Sequence, residues 1–300
     1  MAEQKIELRK VRDFSENLSD TFLFIKQNLK PLLISFLTIA GIFLLASSIL
    51  NGVYQSQVGG TMWKDIMDGA RDGAAGRTTR SPFEYFNGTY FFIPLLTWLG
   101  MTAMHVVIVA YMKLYEEKKN HASTTQEVWE VFKKYYFKVL ISTLPVYIVI
   151  VIGFLFCLLP GIYLAVVLLP FPVVMIMEDV SFGTAFNRCF TIIKQNFWIS
   201  LGIYIVVYLI YSFSSTIISS VFGLITGGIS YLTTNDVATT MGVVMGIMQA
   251  FTFVFYIVFY VAVVLHYFTL TEEHDGTGIF KRLDTLGDTR AGYNNQEEQY

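Results

Sequence analysis

The chain has 300 residues, of which 54% are hydrophobic, 16% aromatic and only 15% charged, with a formal net charge of -2. A soluble domain carries about 25% charged residues, so much of this surface needs no contact with water, and the near-neutral charge gives no reason to expect a nucleic-acid partner. The two cysteines, Cys157 and Cys189, are expected at opposite faces of a membrane, which excludes a disulfide framework.

In chain order, Phe14, Leu18, Phe22, Ile25 and Leu29 recur at helical spacing, with Glu16, Asp20 and Lys26 on the opposite face. This pattern predicts an amphipathic helix lying in the membrane interface. The apolar run 32–53 predicts a first span, since about 20 apolar residues cross a bilayer core as a helix. A glycine-rich polar stretch, 54–90, predicts an external loop. The run 91–112 predicts a second span that contains His105, followed by Glu116-Glu117 in a loop.

A second unit follows. Val128, Phe132, Tyr135 and Val139 share one helical face, with Glu127, Glu130, Lys133 and Lys134 opposite. Spans are predicted over 139–159 and over 162–177, the latter containing Pro170 and Pro172 and ending at Glu178-Asp179. In the third unit Phe182, Phe186, Phe190, Ile193 and Phe197 repeat the helical period, against Arg188, Lys194 and Gln195. Spans over 197–222 and 241–270 flank a loop at 223–240, and Glu272-Glu273 end the last span. The polar tail 275–300 is expected to be disordered.

These units resemble one another. Ile25-Lys26-Gln27-Asn28 recurs as Ile193-Lys194-Gln195-Asn196. Tyr163-Leu164-Ala165-Val166-Val167-Leu168 resembles Tyr260-Val261-Ala262-Val263-Val264-Leu265. Tyr111 and Leu114 precede Glu116-Glu117 as Tyr267 and Leu270 precede Glu272-Glu273. The expected fold is all-α: a polytopic membrane protein with six transmembrane helices in three pseudo-repeats, each opened by an amphipathic interfacial helix. One membrane domain, 1–274, holds repeats near 13–117, 122–179 and 180–273. Of the 21 Lys and Arg residues, only Lys64, Arg71, Arg77 and Arg80 fall on the side away from the interfacial helices. Short loops rich in Lys and Arg stay inside. Both termini are therefore expected in the cytoplasm of a bacterium, with the spans in its inner membrane.

Three groups of residues invite a chemical reading. The acid pairs Glu116-Glu117, Glu178-Asp179 and Glu272-Glu273 either bind cations or a basic partner, or simply end spans, with Arg188 available to Glu178. His105 sits at membrane depth, where an ionisable group is a functional candidate by default, although a neutral histidine also bonds between helices. His266 is expected at the interface. Tyr208, Ser212, Ser215, Thr216 and Ser219 form a stripe that reads as the wall of a polar cavity or as close packing of small residues, with Gly242 and Gly246 as the matching face. No His-Glu-x-x-His, Walker loop or Gly-x-Ser-x-Gly elbow is present.

Leu159-Pro160-Gly161-Ile162-Tyr163-Leu164, then Glu178, then Ala185-Phe186-Asn187-Arg188-Cys189-Phe190 and Phe197-Trp198 resemble the membrane domain grouped with bacterial glycerophosphodiester phosphodiesterases. Cys189 stands where that pattern usually has serine. The resemblance is best over 139–210 and implies a six-span fold. It implies no activity here, because no soluble stretch can hold the catalytic domain. The function expected is non-catalytic: a scaffold or accessory subunit organising lipid or a protein partner at the cytoplasmic face. The alternative is a carrier or channel for a lipid-like or small neutral solute. No enzyme activity, cofactor or metal is expected.

Overall fold

Asp13 starts the first helix by accepting the Glu16 amide proton at 2.7 Å. In this computed structural model, which describes residues 5–71, 88–118, 121–234 and 236–276, the described residues form helices and no strand. Helix α1 (Phe14–Ile39) carries Pro31 inside it and passes through Ala40 into α2 (Gly41–Arg71), the Ala40 amide still donating to Phe36 O at 2.9 Å. Then come α3 (Gly88–Glu117), α4 (Thr125–Phe156), α5 (Leu158–Leu168), α6 (Phe171–Met177), α7 (Phe182–Ile193), α8 (Phe197–Thr234) and α9 (Val237–Asp275). Thr124 and Glu127 form a reciprocal capping box at the start of α4. Gly276, with φ at 63°, ends α9 in the left-handed region that glycine adopts without strain.

Among the described residues, six helical stretches are long and apolar enough to cross a membrane: Phe14–Ile39, Tyr90–Glu117, Thr125–Phe156, Leu158–Met177, Phe197–Thr233 and Ala238–Asp275. The chain is accordingly a multi-pass membrane protein. The first of these departs from expectation, because the predicted run 32–53 straddles the junction of α1 and α2. The predicted amphipathic segment and the start of the predicted span are one helix there, as they also are in α4. Only α7 stands apart from the span that follows it.

The predicted loops shorten in the same way. Residues 54–71 continue α2 as helix, and 223–234 continue α8, with Asp236 capping the start of α9. Residues 72–87, in the predicted external loop, and the tail beyond Gly276 lie outside the described residues. Glu116 and Glu117 lie in the last turn of α3 rather than in a loop. The fourth span is broken at Leu169-Pro170 into α5 and α6, as its prolines require: proline lacks the amide proton an internal helical position donates.

Two helices occupy the centre. Every residue from 102 to 112 of α3 is buried, as is every residue from 259 to 272 of α9. A helix that is apolar all round belongs in the interior, and the other helices shield these two. Large apolar side chains elsewhere are exposed, among them Ile42, Ile49, Ile141, Leu155, Phe213 and Leu224. In lipid such a surface carries no penalty.

The three segments expected to be interfacial bury one helical register. Asn17, Thr21, Phe24 and Asn28 are buried in α1, Val128, Phe132, Tyr135 and Val139 in α4, and Ala185, Cys189 and Ile192 in α7. With Ile25 set on Ile193, Asn17, Thr21 and Phe24 fall on Ala185, Cys189 and Ile192. In α1 this inward face is polar, while Phe14, Phe22 and Leu29 are exposed. Asn28 holds its place by accepting from Tyr111 Oη at 3.0 Å, and Phe24 packs edge-on against Tyr111 and Tyr115. These contacts lay the front half of α1 against the acid-bearing end of α3.

Candidate functional site

The acid pairs gather at one end of the bundle. Residues 5–13, ahead of α1, run over this end with Ile6 and Leu8 buried in the core. Their Arg9 bonds Glu116 through Nε, places Nη1 3.6 Å from Glu272 Oε1 and lies 5.7 Å from the centre of the Phe268 ring. Glu272 is 4% exposed. Burial opposes the Arg9 charge, but Glu116 and Glu272 outweigh it, so the guanidinium pKa lies above its usual value.

A second bridge uses Arg188 on α7. Its Nε donates to Glu178 Oε1 at 3.1 Å and its Nη2 bonds Asp275, while Tyr267 Oη also donates to Glu178 at 3.0 Å. Thus Glu178 does pair with Arg188. Asp179 accepts from Lys134 Nζ at 2.8 Å, with Lys138 Nζ at 3.6 Å, and its own φ of 50° is left-handed. Asp tolerates that region better than most residues. Glu273 accepts from Asn196 Nδ2, and Glu117 is exposed. Each of Glu116, Glu178 and Asp179 is therefore tied to a cation on a different element, which makes these acids clamps between helices.

The Lys134 hydrogen bond, followed by one involving Tyr135, holds the Asp179 carboxyl below the usual carboxylate range. A depressed folded pKa stabilises the fold above the unfolded value of about 3.9 and is lost as the pH falls through the folded value. The acid-side fall in thermal midpoint is therefore expected to be smaller in Asp179→Asn than in the parent chain. Parallel melts from pH 6 down to pH 3 check this.

His105 is buried between α3 and α9. Its ring stacks on Tyr260 at 4.0 Å and 20°, and Nε2 lies 3.4 Å from Tyr256 Oη. Nδ1 has no hydrogen-bond partner, nor has Tyr260 Oη. Packing accounts for the ring and leaves one orphan nitrogen. His105→Phe keeps the stack and removes that nitrogen, so the thermal midpoint in detergent is expected to hold or rise, by up to about 1 kcal/mol of stability. A loss above that would show that the imidazole's polar atoms stabilise the fold.

The stripe on α8 splits. Ser215 and Ser219 are buried, and Ser219 Oγ donates to Met248 O at 3.4 Å on α9; Ser212 is half-buried, and Tyr208 and Thr216 are exposed. No common polar wall forms. The buried face of α8 rotates along its length, from Ser200, Ile203, Tyr204 and Val207 to Ser215, Ser219 and Gly223. Gly242 and Gly246 do not face this stripe either. They meet Gly52, Ser48 and Ser56 of α2. His266, expected at the interface, is 2% exposed and shares a 2.8 Å hydrogen bond with Ser200 Oγ.

Cavities open at several places among the described residues, three of them bearing on function. One of about 440 Å³ follows the α2–α9 seam around Gly52 and Gly242. One of about 620 Å³ lies between α2, α3 and α4, lined by Asn51, Tyr54, Gln55, Tyr90, Trp98 and Tyr147 among others, with no charged residue. The third, about 430 Å³, sits at the acid-bearing end between Asp13, Phe14, Trp198, His266 and Glu273. The sequence marks Glu273 as an acid pair member and Trp198 as part of a family pattern but does not mark Asp13 or bring the three together, because the elements that meet there are far apart in sequence. Among the described residues no group of His, Cys, Asp and Glu is placed to hold a metal ion. Comparison of the chain with known protein families, curated proteins and solved structures finds no match.

Proposed function

We propose that this chain is a non-catalytic integral membrane protein that organises lipid at its acid-bearing end, as a scaffold or accessory subunit. The observation that carries this reading is the cavity at that end. It opens between the start of α1, the start of α8 and the end of α9, beside exposed Phe14, Trp198 and Ile199. Aromatic side chains at that depth are usual at the headgroup level of a bilayer. The neighbouring acids are already committed to Arg9, Arg188, Lys134 and Lys138. They brace a face on which a lipid, or a protein partner, can sit.

The same reading takes the three units 13–117, 122–179 and 180–273 as repeats, supported by the shared buried register of α1, α4 and α7. The excess of Lys and Arg at this end supports a cytoplasmic placement in a bacterial inner membrane. The Leu-Pro-Gly stretch at 159–161, in the first turns of α5, and the Glu178–Arg188 pair fit the membrane-domain resemblance. Purification from native membranes in mild detergent, with native mass spectrometry, tests the proposal. Retained lipid or a stable partner is expected. A protein that is always alone and lipid-free contradicts it.

The uncharged cleft lined by Asn51, Tyr54, Gln55, Tyr90, Trp98 and Tyr147 favours a second reading, passage of a lipid-like or small neutral solute. Glycerol flux into proteoliposomes above the protein-free rate would support it.

A further inference from the structure

The cavity at the acid-bearing end has a hydrogen-bonding character of its own. Most of its donors are spent within the protein. Arg12, 5% exposed, donates Nε to Asp20 at 2.8 Å and Nη1 to Leu8 O at 2.8 Å and Lys10 O at 3.0 Å, and its Nη2 bonds Glu7 O. Asn196 Nδ2 is given to Glu273, and Thr269 Oγ1 donates to Leu265 O at 3.3 Å. Ser200 Oγ donates to Asn196 O at 2.9 Å, so at 2.8 Å it accepts from His266 Nε2. A neutral imidazole that donates from Nε2 carries a bare Nδ1. That nitrogen is buried and has no partner. The opposite tautomer would bury an orphan N–H, which proteins avoid more strictly than an unsatisfied acceptor.

Acceptors therefore dominate. The Asp13 carboxylate gives one oxygen to the Glu16 amide, and Glu273 gives one to Asn196, so each keeps lone pairs for a ligand. The Arg12 charge is balanced by Asp20, which leaves the net charge around the cavity negative. The mouth carries two aromatic rings, Trp198 at 79% and Phe14 at 40% exposure. Carboxylates, a bare imidazole nitrogen and aromatic faces together suit a cation rich in N–H donors. On the lipid-organising reading this end of the bundle lies at the membrane interface, where such cations are carried by lipids.

Deepening the lipid-organising reading, on which it rests, we infer that this cavity binds the primary ammonium headgroup of a membrane lipid, an aminophospholipid of the phosphatidylethanolamine class. Asp13 and Glu273 receive the ammonium N–H groups, and Trp198 and Phe14 flank it. A quaternary ammonium has the charge but no N–H to give, and a phosphatidylglycerol headgroup has neither.

The test uses the full chain in nanodiscs holding equal parts of phosphatidylethanolamine, phosphatidylcholine and phosphatidylglycerol, released into mild detergent and counted by native mass spectrometry. Phosphatidylethanolamine is expected to be retained about tenfold over either rival, the scale of one charge-assisted hydrogen bond. Asp13→Asn combined with Glu273→Gln removes both charges while keeping the helix cap and an acceptor for Asn196. It is expected to abolish the preference with the thermal midpoint unchanged. Equal retention of the three lipids, preference for phosphatidylglycerol, or a preference that survives the double substitution would overturn the inference. Competition by free ethanolamine as strong as by the lipid would overturn the lipid source. If lipid is retained without amine preference, the inference fails and the lipid-organising reading stands; if no lipid is retained, both fail.

Discussion

Replacing Gly242 by alanine is expected to destabilise the bundle by about 3 kcal/mol, near the upper end of what overpacking costs. At this point α9 crosses α2 with backbone against backbone. A Cβ on Gly242 would stand 2.4 Å from Gly52 O and 2.7 Å from Ser56 Cβ, and one on Gly52 would stand 2.8 Å from Gly242 O. Backbone cannot rotate away as a flexible side chain can, so the helices must separate. Separation matters more in lipid than in water, because helix association there depends on close van der Waals packing rather than on expelling water. Gly228→Ala, on the far part of α8, is the control: nothing lies within 4 Å of its added carbon. That variant is expected to hold or gain up to about 1 kcal/mol, since alanine favours helix over glycine. Thermal unfolding of the two variants in one detergent checks both outcomes.

Arg9→Ala is expected to cost about 2 kcal/mol and to loosen the segment ahead of α1. Its guanidinium stands between Glu116 at the end of α3 and Glu272 at the end of α9. Removing it takes the shared cation from both carboxylates, one of them nearly inaccessible to water. Breaking a fully buried ion pair costs more, but the Arg9 side chain is 31% exposed, and solvent screens part of the interaction. Arg9→Lys should fall between the two, because a point charge cannot serve two carboxylates as a planar fork does. Glu272→Gln in the Arg9→Ala background should recover part of the loss, giving a non-additive pair. Hydrogen exchange at residues 5–12 would rise in Arg9→Ala, with Ile6, Leu8, the Arg12 contacts, the Tyr115 Oη bond to Ile6 O and the Lys10–Glu16 pair still holding part of the segment.

Spans were readable where lipid imposes a demand on every residue: the runs 91–112, 139–159, 197–222 and 241–270 each lie mainly within a helix of the structure. Helix ends were not, because leaving the hydrocarbon removes the demand for apolar side chains without removing the backbone hydrogen bonds. Residues 54–71 and 223–234 therefore stay helical despite glycines and polar residues. The α8 stripe misled because two long helices crossing at an angle touch along a face that turns with distance, so Tyr208 and Ser219 share a stripe but not an environment. The inward register of α4 was legible in Val128, Phe132, Tyr135 and Val139. In α1 the apolar period marks the exposed face, and asparagines hold the inward one. Arg9 left no local trace, as its partners lie more than a hundred residues away.

The orientation of the chain carries the account, and cysteine labelling tests it most directly. In a Cys157→Ser background, Cys189 is buried within α7 and its thiol pKa is pushed up by that burial, so it contributes no labelling of its own. Lys26→Cys, Lys133→Cys and Lys194→Cys, all at exposed positions, are introduced one at a time. A membrane-impermeant maleimide applied to intact spheroplasts should label none of them, and all of them after permeabilisation, while native Cys157 in the parent chain is labelled from outside. Labelling of any one of the three in intact spheroplasts would place the acid-bearing end, or one unit of it, on the wrong side of the membrane.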